Sequence, residues 1–382
     1  MSGSIRLTTA RRLGLRSSLV TAGAILVFAG TSLAAGWSGA NTITVSGNAE
    51  PSNSHSTATV GSTIHVILWN DQSVAYSVSA DGGGSFSAAT GLATTSGSVT
   101  YDALGIAASG RHVVALYKSI GPGNKRSLLV RRSADGGTTW LPQQVIASYT
   151  NATIDMGDAD VGISGTNVTI AWTDRTKGKV MSRRSTDGGA TWKPNQLIGT
   201  TANPTAAGKE GDVTVAVAGS RAYIAWTPGN RKGLALRRST DNGATWKPLQ
   251  TLSTAPGGYP GPEASASGKT LLISYNLTSY AVKVARSTNG GATVTSSTVV
   301  SGNYQEVEDV VVSGSKARIT YGDGTIVNVR SSADGGASWA APDNGVIEFG
   351  NHTNLSIVST TTVIVYGVDD GFSATPYSIH ST

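Results

Sequence analysis

Apolar and polar residues alternate with a period of two along most of the chain from residue 41 onward. The runs 158-DADVGISGTNVTIAW-172 and 212-DVTVAVAGSRAYIAW-226 show the pattern best: an alternating strand, a tight turn around Gly, and a second strand ending in an aromatic residue. Such alternation predicts half-buried β-strands, and no helical periodicity appears after the first 40 residues. The unit recurs with its terminal aromatic at Trp69, Tyr117, Trp172, Trp226, Tyr275, Tyr321 and Tyr366, which gives seven hairpins spaced 45 to 55 residues apart.

Each of the first six hairpins is followed by a third strand, such as 234-LALRRS-239, then an Asp-Gly turn, then a fourth strand expected to begin at the Trp that closes the turn. Four short antiparallel strands per unit at this period predict an all-β, seven-bladed β-propeller of four-stranded blades, with six blades as the alternative count. The seventh hairpin is followed only by 371-GFSATPYSIHST-382, which supplies a third strand but no fourth. The segment 41-NTITVSGN-48 is available for that place, so the N-terminal strand is expected to close the ring and cover edges that an open array would expose.

The turn itself repeats. Ser-x-Asp-x-Gly-x-Thr/Ser-Trp/Phe occurs as Ser79 to Phe86, Ser133 to Trp140, Ser185 to Trp192, Ser239 to Trp246 and Ser332 to Trp339, and a degraded copy runs from Ser287 to Val294 with Asn289 in place of Asp. An Asp at this point can accept hydrogen bonds from backbone N–H groups of its own turn, Gly supplies the positive φ of a tight reversal, and Trp can pack between blades. Copies carried on different blades cannot converge on one substrate, so the motif reads as structural.

These residues resemble the Asp-box, or bacterial neuraminidase repeat, of sialidases and many other secreted propellers, over most of residues 79 to 339. The resemblance implies a sialidase-like propeller, and leaves function open because functions are grafted on folds. Sialidases have six blades, and the seven hairpins here depart from that number. They also resemble one another in three Arg that clamp a substrate carboxylate, a Tyr–Glu nucleophile pair and an Asp acid/base. The first of those Arg usually precedes the first Asp-box, yet no Arg lies between Asn41 and Ser79.

The first 40 residues read differently from the rest. Arg6, Arg11, Arg12 and Arg16 precede the apolar run 19-LVTAGAILVFAGTSLAA-35, and small residues at Ser38 and Ala40 suit cleavage before Asn41. Residues 1–40 are therefore expected to be an export signal, with an uncleaved membrane anchor as the alternative, and residues 41–382 a single secreted domain, extracellular or attached to the cell surface. This leader carries four of the basic residues and no acid, so only two of the six net positive charges remain on the rest of the chain. That balance gives no reason to expect nucleic-acid binding. With no Cys, disulfides and thiolate metal sites are excluded.

In a four-stranded blade the loops entering the first strand and joining the second to the third share one face, opposite the Asp-boxes. The entering loops are acidic: Asp102, Asp158 and Asp160, Asp212, Glu263, then Glu306, Glu308 and Asp309, with His55, His352 and Asn354 where acids are missing. The second loop set is basic in 118-KSIGPGNKR-126, 174-DRTKGK-179 and 228-PGNRK-232, and Tyr149, Tyr259, Tyr280 and Tyr304 offer aromatic surface for sugar rings. On this reading Arg126, Arg175, Arg231, Glu263 and Asp158 are candidate ligand-binding residues. If the chain is an enzyme, a glycoside hydrolase is expected, with Tyr304 beside Glu306 or Glu308 as nucleophile and Asp160 or Asp212 as acid; such chemistry needs two carboxylates about 5 to 9.5 Å apart. An Asp or Glu just before a strand can also simply cap the incoming loop. The expected partner is an extracellular glycan bound by a monomer, most simply without turnover, and a propeller used only as a protein-interaction scaffold is the third reading. No cofactor is expected, although carboxylates at the channel mouth would suit Ca²⁺.

Overall fold

The computed structural model describes Trp37 and residues 41–43, 55–70, 73–94, 99–150, 156–174, 177–200, 212–228, 232–256, 261–277, 281–302, 305–322, 326–348, 350–369 and 374–381. Apart from Trp37, the leader lies outside them. No helix among the described residues is long and apolar enough to cross a membrane.

Seven antiparallel sheets of four strands form a ring. Blades one to six take their strands in chain order from inside to outside, with inner strands His55–Val60, Thr100–Ser109, Met156–Ser164, Val213–Ala218, Glu263–Ser267 and Glu306–Ser313. The seventh blade runs Gly350–Val358, Thr361–Asp369, Ala374–His380, and its outermost place is taken by Asn41–Thr42, with Asn41 opposite Ser378 and Thr42 opposite Tyr377. Among the described residues this strand covers two residues, and a separate antiparallel bridge joins Trp37 to Ser381. Ile43, next after Thr42, is buried among Ile64, Val66 and Leu68 of blade one and Val363 and Val365 of blade seven.

The core lies between blades. The period-two pattern gives every sheet two apolar faces, so Val114, Leu116, Leu128 and Val130 of blade two meet Val161, Ile163, Ile170 and Trp172 of blade three in one continuous cluster. Burying both faces of each sheet supplies the apolar contact that holds a fold without disulfides.

The fourth strands differ from the sequence expectation. They begin at Gln144, Gln196 and Gln250, four residues beyond Trp140, Trp192 and Trp246. After each Trp a single backbone bond reaches back to the third strand, as from Lys193 N–H to the Arg184 carbonyl at 2.9 Å. A proline then follows, at 142, 194 and 248, and its missing N–H interrupts the ladder until the Gln.

In each Asp-box the Ser hydroxyl and the Asp carboxylate organise the turn. In blade four Ser239 donates to Asp241 Oδ1 at 2.6 Å, its Oγ accepts the Gly243 N–H at 2.8 Å, and Asp241 Oδ1 accepts the Thr245 N–H at 2.9 Å. Hydroxyl donors, led by Ser85 on Asp81, Ser133 on Asp135 and Ser338 on Asp334, hold these carboxyls well below the ordinary carboxylate range. The degraded copy keeps the geometry, because the Asn289 amide oxygen accepts the Thr293 N–H at 3.0 Å.

The boxes also join blades. Gln144 of blade two accepts the Trp192 indole N–H at 2.7 Å and donates to the Ala190 carbonyl of blade three, and Gln196 makes the same pair of bonds to Trp246 and Ala244 of blade four. Gly137, at φ +90°, sits so close to blade one that an added Cβ would lie 2.0 Å from the Tyr76 hydroxyl. Only glycine fits both the dihedral and the contact.

Candidate functional site

Each blade contributes one equivalent position near the start of its inner strand, opposite the residue that precedes the strand-two aromatic. The seven occupants are His55 opposite Leu68, Gly105 opposite Leu116, Asp160 opposite Ala171, Thr214 opposite Ala225, Glu263 opposite Ser274, Asp309 opposite Thr320 and Asn354 opposite Val365. Three carboxylates thus stand at one level around the propeller axis. Asp158 and Glu308 flank two of them where the register shifts, between Met156 and Ala159 and between Val307 and Asp309.

An inner strand pairs on one side only, so alternate backbone N–H groups on its other edge need acceptors. Side chains of the preceding blade provide them. Asp158 Oδ2 accepts the Val213 N–H at 3.3 Å and Asp160 Oδ2 the Val215 N–H at 2.6 Å, so two acids of blade three track along the free edge of blade four. Between blades six and seven, Glu308 accepts the Thr353 N–H at 3.3 Å and Asp309 Oδ2 the Leu355 N–H at 2.7 Å. Ser109, Ser164 and Ser267 repeat the device nearer the hairpin turns, accepting the N–H groups of Gly165, Gly219 and Gly314.

The remaining oxygen of each central Asp turns inward to its own strand: Asp160 Oδ1 accepts the Val161 N–H at 2.6 Å and Asp309 Oδ1 the Val310 N–H at 2.7 Å. Those two N–H groups are then satisfied without the preceding blade. In blade two the corresponding position is Gly105, where an added Cβ would lie 3.3 Å from Asp160 Oδ1. In blade five it is Glu263, whose carboxylate makes no hydrogen bond among the described residues.

Burial dominates the electrostatics here. It pushes Asp160, Asp309 and Glu308 each up to about 7, against the opposing pull of their backbone hydrogen bonds. Glu263 is raised well above the ordinary range by burial and then by the charges of Asp309, Asp160, Asp158 and Asp212. Those four acids belong to blades six, three and four. Glu306 is raised by burial, and its charge adds to the shift of Glu308. Among the described residues no three acidic or imidazole groups converge closely enough to hold a metal ion.

The sequence candidates therefore divide. Asp158, Asp160, Glu263, Glu308 and Asp212 are brought together, and Asp309 joins them as a member of the central level that the candidate set omitted. Gly261 packs on Asp212 so tightly that an added Cβ would lie 2.1 Å from the Asp212 Cβ. Arg126 lies on the third strand of blade two, opposite Ile120 and Tyr149. Arg175, Arg231 and Tyr304 lie outside the described residues, as do Tyr259 and Tyr280. Tyr149 is a packing residue, since its hydroxyl accepts the Trp172 indole N–H at 2.8 Å across the boundary of blades two and three. The signal that marks Asp309 was present in its spacing from Tyr321, which equals that of Asp160 from Trp172.

A family model described as BNR repeat-like domain matches residues 40–273. No curated protein matches the chain in sequence. Among solved structures the chain is similar to a phage phi92 endosialidase (TM-score 0.53, 11% identity, covering 90% of this chain and 68% of that one). It is similar to YCF48 bound to D1 peptide (TM-score 0.54, 13% identity, 91% and 95% covered). A third likeness is to the Fusarium graminearum α-L-arabinofuranosidase Arb93a in complex with an iminosugar inhibitor (TM-score 0.51, 15% identity, 85% and 91% covered). At these identities the likeness is one of fold.

Proposed function

The chain belongs to the BNR repeat-like family, a sialidase-like propeller, and from that premise we propose that it is a secreted glycan-recognition protein that binds a polar ligand at its acidic axial face without turning it over. The observation that carries this reading is the use made of the two best-placed acids: both oxygens of Asp160 and of Asp309 accept backbone N–H groups. Turning either carboxylate onto a substrate would strip two buried N–H groups of their acceptors, at a cost of roughly 1–3 kcal/mol for each. The stretch from Asn41 to Ser79, which holds no Arg, also lacks the first member of a carboxylate clamp. Two of the similar structures carry names of carbohydrate-active enzymes, which favours a sugar as ligand.

The test is a pair of measurements on the purified protein: hydrolysis of a panel of aryl glycosides, sialosides included, and binding to a glycan array. Binding without cleavage is expected. Cleavage of any panel member that survives purification to homogeneity would overturn the reading.

One observation favours a hydrolase as the second reading. Glu308 is a carboxyl held near 7 with the charge of Glu306 beside it, the arrangement that keeps one acid of a catalytic pair protonated. On that reading Glu308 is the acid and Glu306, with Tyr304, supplies the nucleophile. Loss of panel activity in Glu308→Gln would then identify the acid.

A further inference from the structure

Glu263 stands apart from its counterparts because the architecture leaves it unused. Asp160 and Asp309 occupy the same level of the ring and are consumed in joining blades. The N–H that Glu263 would take by analogy, that of Val310, is already bonded to Asp309 Oδ1 at 2.7 Å. Its carboxylate is left half-buried, without a hydrogen bond, amid the charges of Asp309, Asp160, Asp158 and Asp212. A second, independent feature lies beside it. Ser274 is directly opposite Glu263 on the neighbouring strand, so the two side chains share one face of the sheet. Ser274 is fully buried, and its hydroxyl has no hydrogen-bond partner.

Buried polar groups left without partners cost stability, and a native structure retains them where something else completes the site. Here the completing group must supply positive charge for the carboxylate together with hydrogen bonds for Glu263 and Ser274. A guanidinium or metal ion fits less well than an ammonium, since no three acids converge to ligate a metal among the described residues and an ammonium offers three donors from a single compact atom. We propose that Glu263 and Ser274 form a subsite for the ammonium group of a glycan ligand, as presented by an amino sugar whose nitrogen is not acetylated. The inference rests on the glycan-recognition reading and narrows it to one chemical class.

Calorimetric titration of the full protein with a β-1,4-linked glucosamine tetramer and with its N-acetylated counterpart tests this directly, with CaCl₂ as a third probe. The free amine is expected to bind at least tenfold more tightly than the acetylated sugar. Glu263→Gln should abolish that difference, and Ser274→Ala should reduce it severalfold. Because Glu263→Gln removes a carboxyl crowded by like charges, its melting temperature should not fall, which separates lost binding from lost folding. Equal affinity for the two tetramers, undiminished binding by Glu263→Gln, or a Glu263-dependent response to CaCl₂ alone would each overturn the proposal. If the array yields neutral or acidic glycans that bind wild type and Glu263→Gln alike, the recognition reading stands and only this subsite falls; if wild type binds no glycan, both fall.

Discussion

Asp160 Oδ2 accepts the backbone N–H of Val215 at 2.6 Å, across the boundary between blades three and four and 55 residues along the chain. Its other oxygen accepts the N–H of Val161 at 2.6 Å. One carboxylate therefore satisfies donors on two inner strands, which is what a sheet edge at the axis requires. Replacing it with Ala should orphan both donors and cost roughly 2–6 kcal/mol in denaturant unfolding, about 1–3 kcal/mol for each. Asp160→Asn keeps an amide oxygen for Val215 but turns its NH2 toward the Val161 N–H, so it should cost roughly 1–3 kcal/mol, less than Ala. If Asn proves as damaging as Ala, the role is one of charge and the edge-capping account is wrong.

The pH dependence of stability follows from the same acids. Asp160, Asp309 and Glu308 stand near 7 in the folded protein, against ordinary values of 3.8 and 4.5. Between about pH 4 and 7 the native state holds protons that the unfolded chain has released, so stability declines across that window as pH rises and levels off above it. His65 works in the opposite sense: burial lowers it to about 4 from 6.5, so its contribution is lost as pH falls through that range. Three carboxyls outweigh one imidazole. The melting temperature is therefore expected to be higher at pH 5.5 than at pH 8, and the difference to shrink in an Asp160→Asn, Asp309→Asn double variant. A profile that climbs from pH 5.5 to 8 in calorimetric scans would contradict the burial of these groups.

Seven hairpins and the Asp-boxes were legible in the sequence because both are local. Period-two alternation decides which face of a strand is buried, and Ser239, Asp241 and Gly243 complete their turn within a few residues of one another. The fate of the acids was not legible in the same way. Asp160 and Glu263 look alike in the chain, each an acid at the head of an alternating strand, yet one is tied to the next blade and the other is not. What separates them is whether the following blade places its own acid at the same level, as Asp309 does after Glu263, and that depends on register between strands some 50 residues apart. Gln144, Gln196 and Gln250 recur four residues after a Trp and were visible as a repeat, but their role exists only at the boundary between blades.

The degraded Asp-box offers a repair. Val294 stands where Trp192 and Trp246 lie in the preceding copies, and Gln250 donates to the Gly291 carbonyl at 2.9 Å, one residue before the position that Gln144 and Gln196 reach in their boxes at Ala190 and Ala244. A Trp at 294 would bring its indole N–H to the box that Gln250 already contacts. Val294→Trp should add a hydrogen bond there and stabilise the protein by about 0.5–1.5 kcal/mol. Val294→Phe, which adds ring surface without the N–H, should recover less. A destabilised Trp variant in thermal unfolding would mean that the boundary of blades four and five has closed over the space.

The N-terminal segment provides the last test. Asn41–Thr42 pairs with the seventh sheet at Ser378 and Tyr377, and Trp37 bridges to Ser381. Ile43 follows Thr42 directly and is 1% exposed, wedged between Ile64 and Val66 of blade one and Val363 and Val365 of blade seven. Loss of its side chain should leave a cavity at the one blade boundary that joins the two ends of the chain. Ile43→Ala is expected to cost about 2–5 kcal/mol, the range for large-to-small changes at buried sites, and Ile43→Val about 0.5–1.5 kcal/mol. Hydrogen exchange in Ile43→Ala ought to rise first in Ala374–His380 and in the strand Thr63–Asn70, the segments on either side of that boundary. Uniform acceleration across all seven blades would instead mean that the ring unfolds as one unit and that the N-terminal strand holds no special place in its closure.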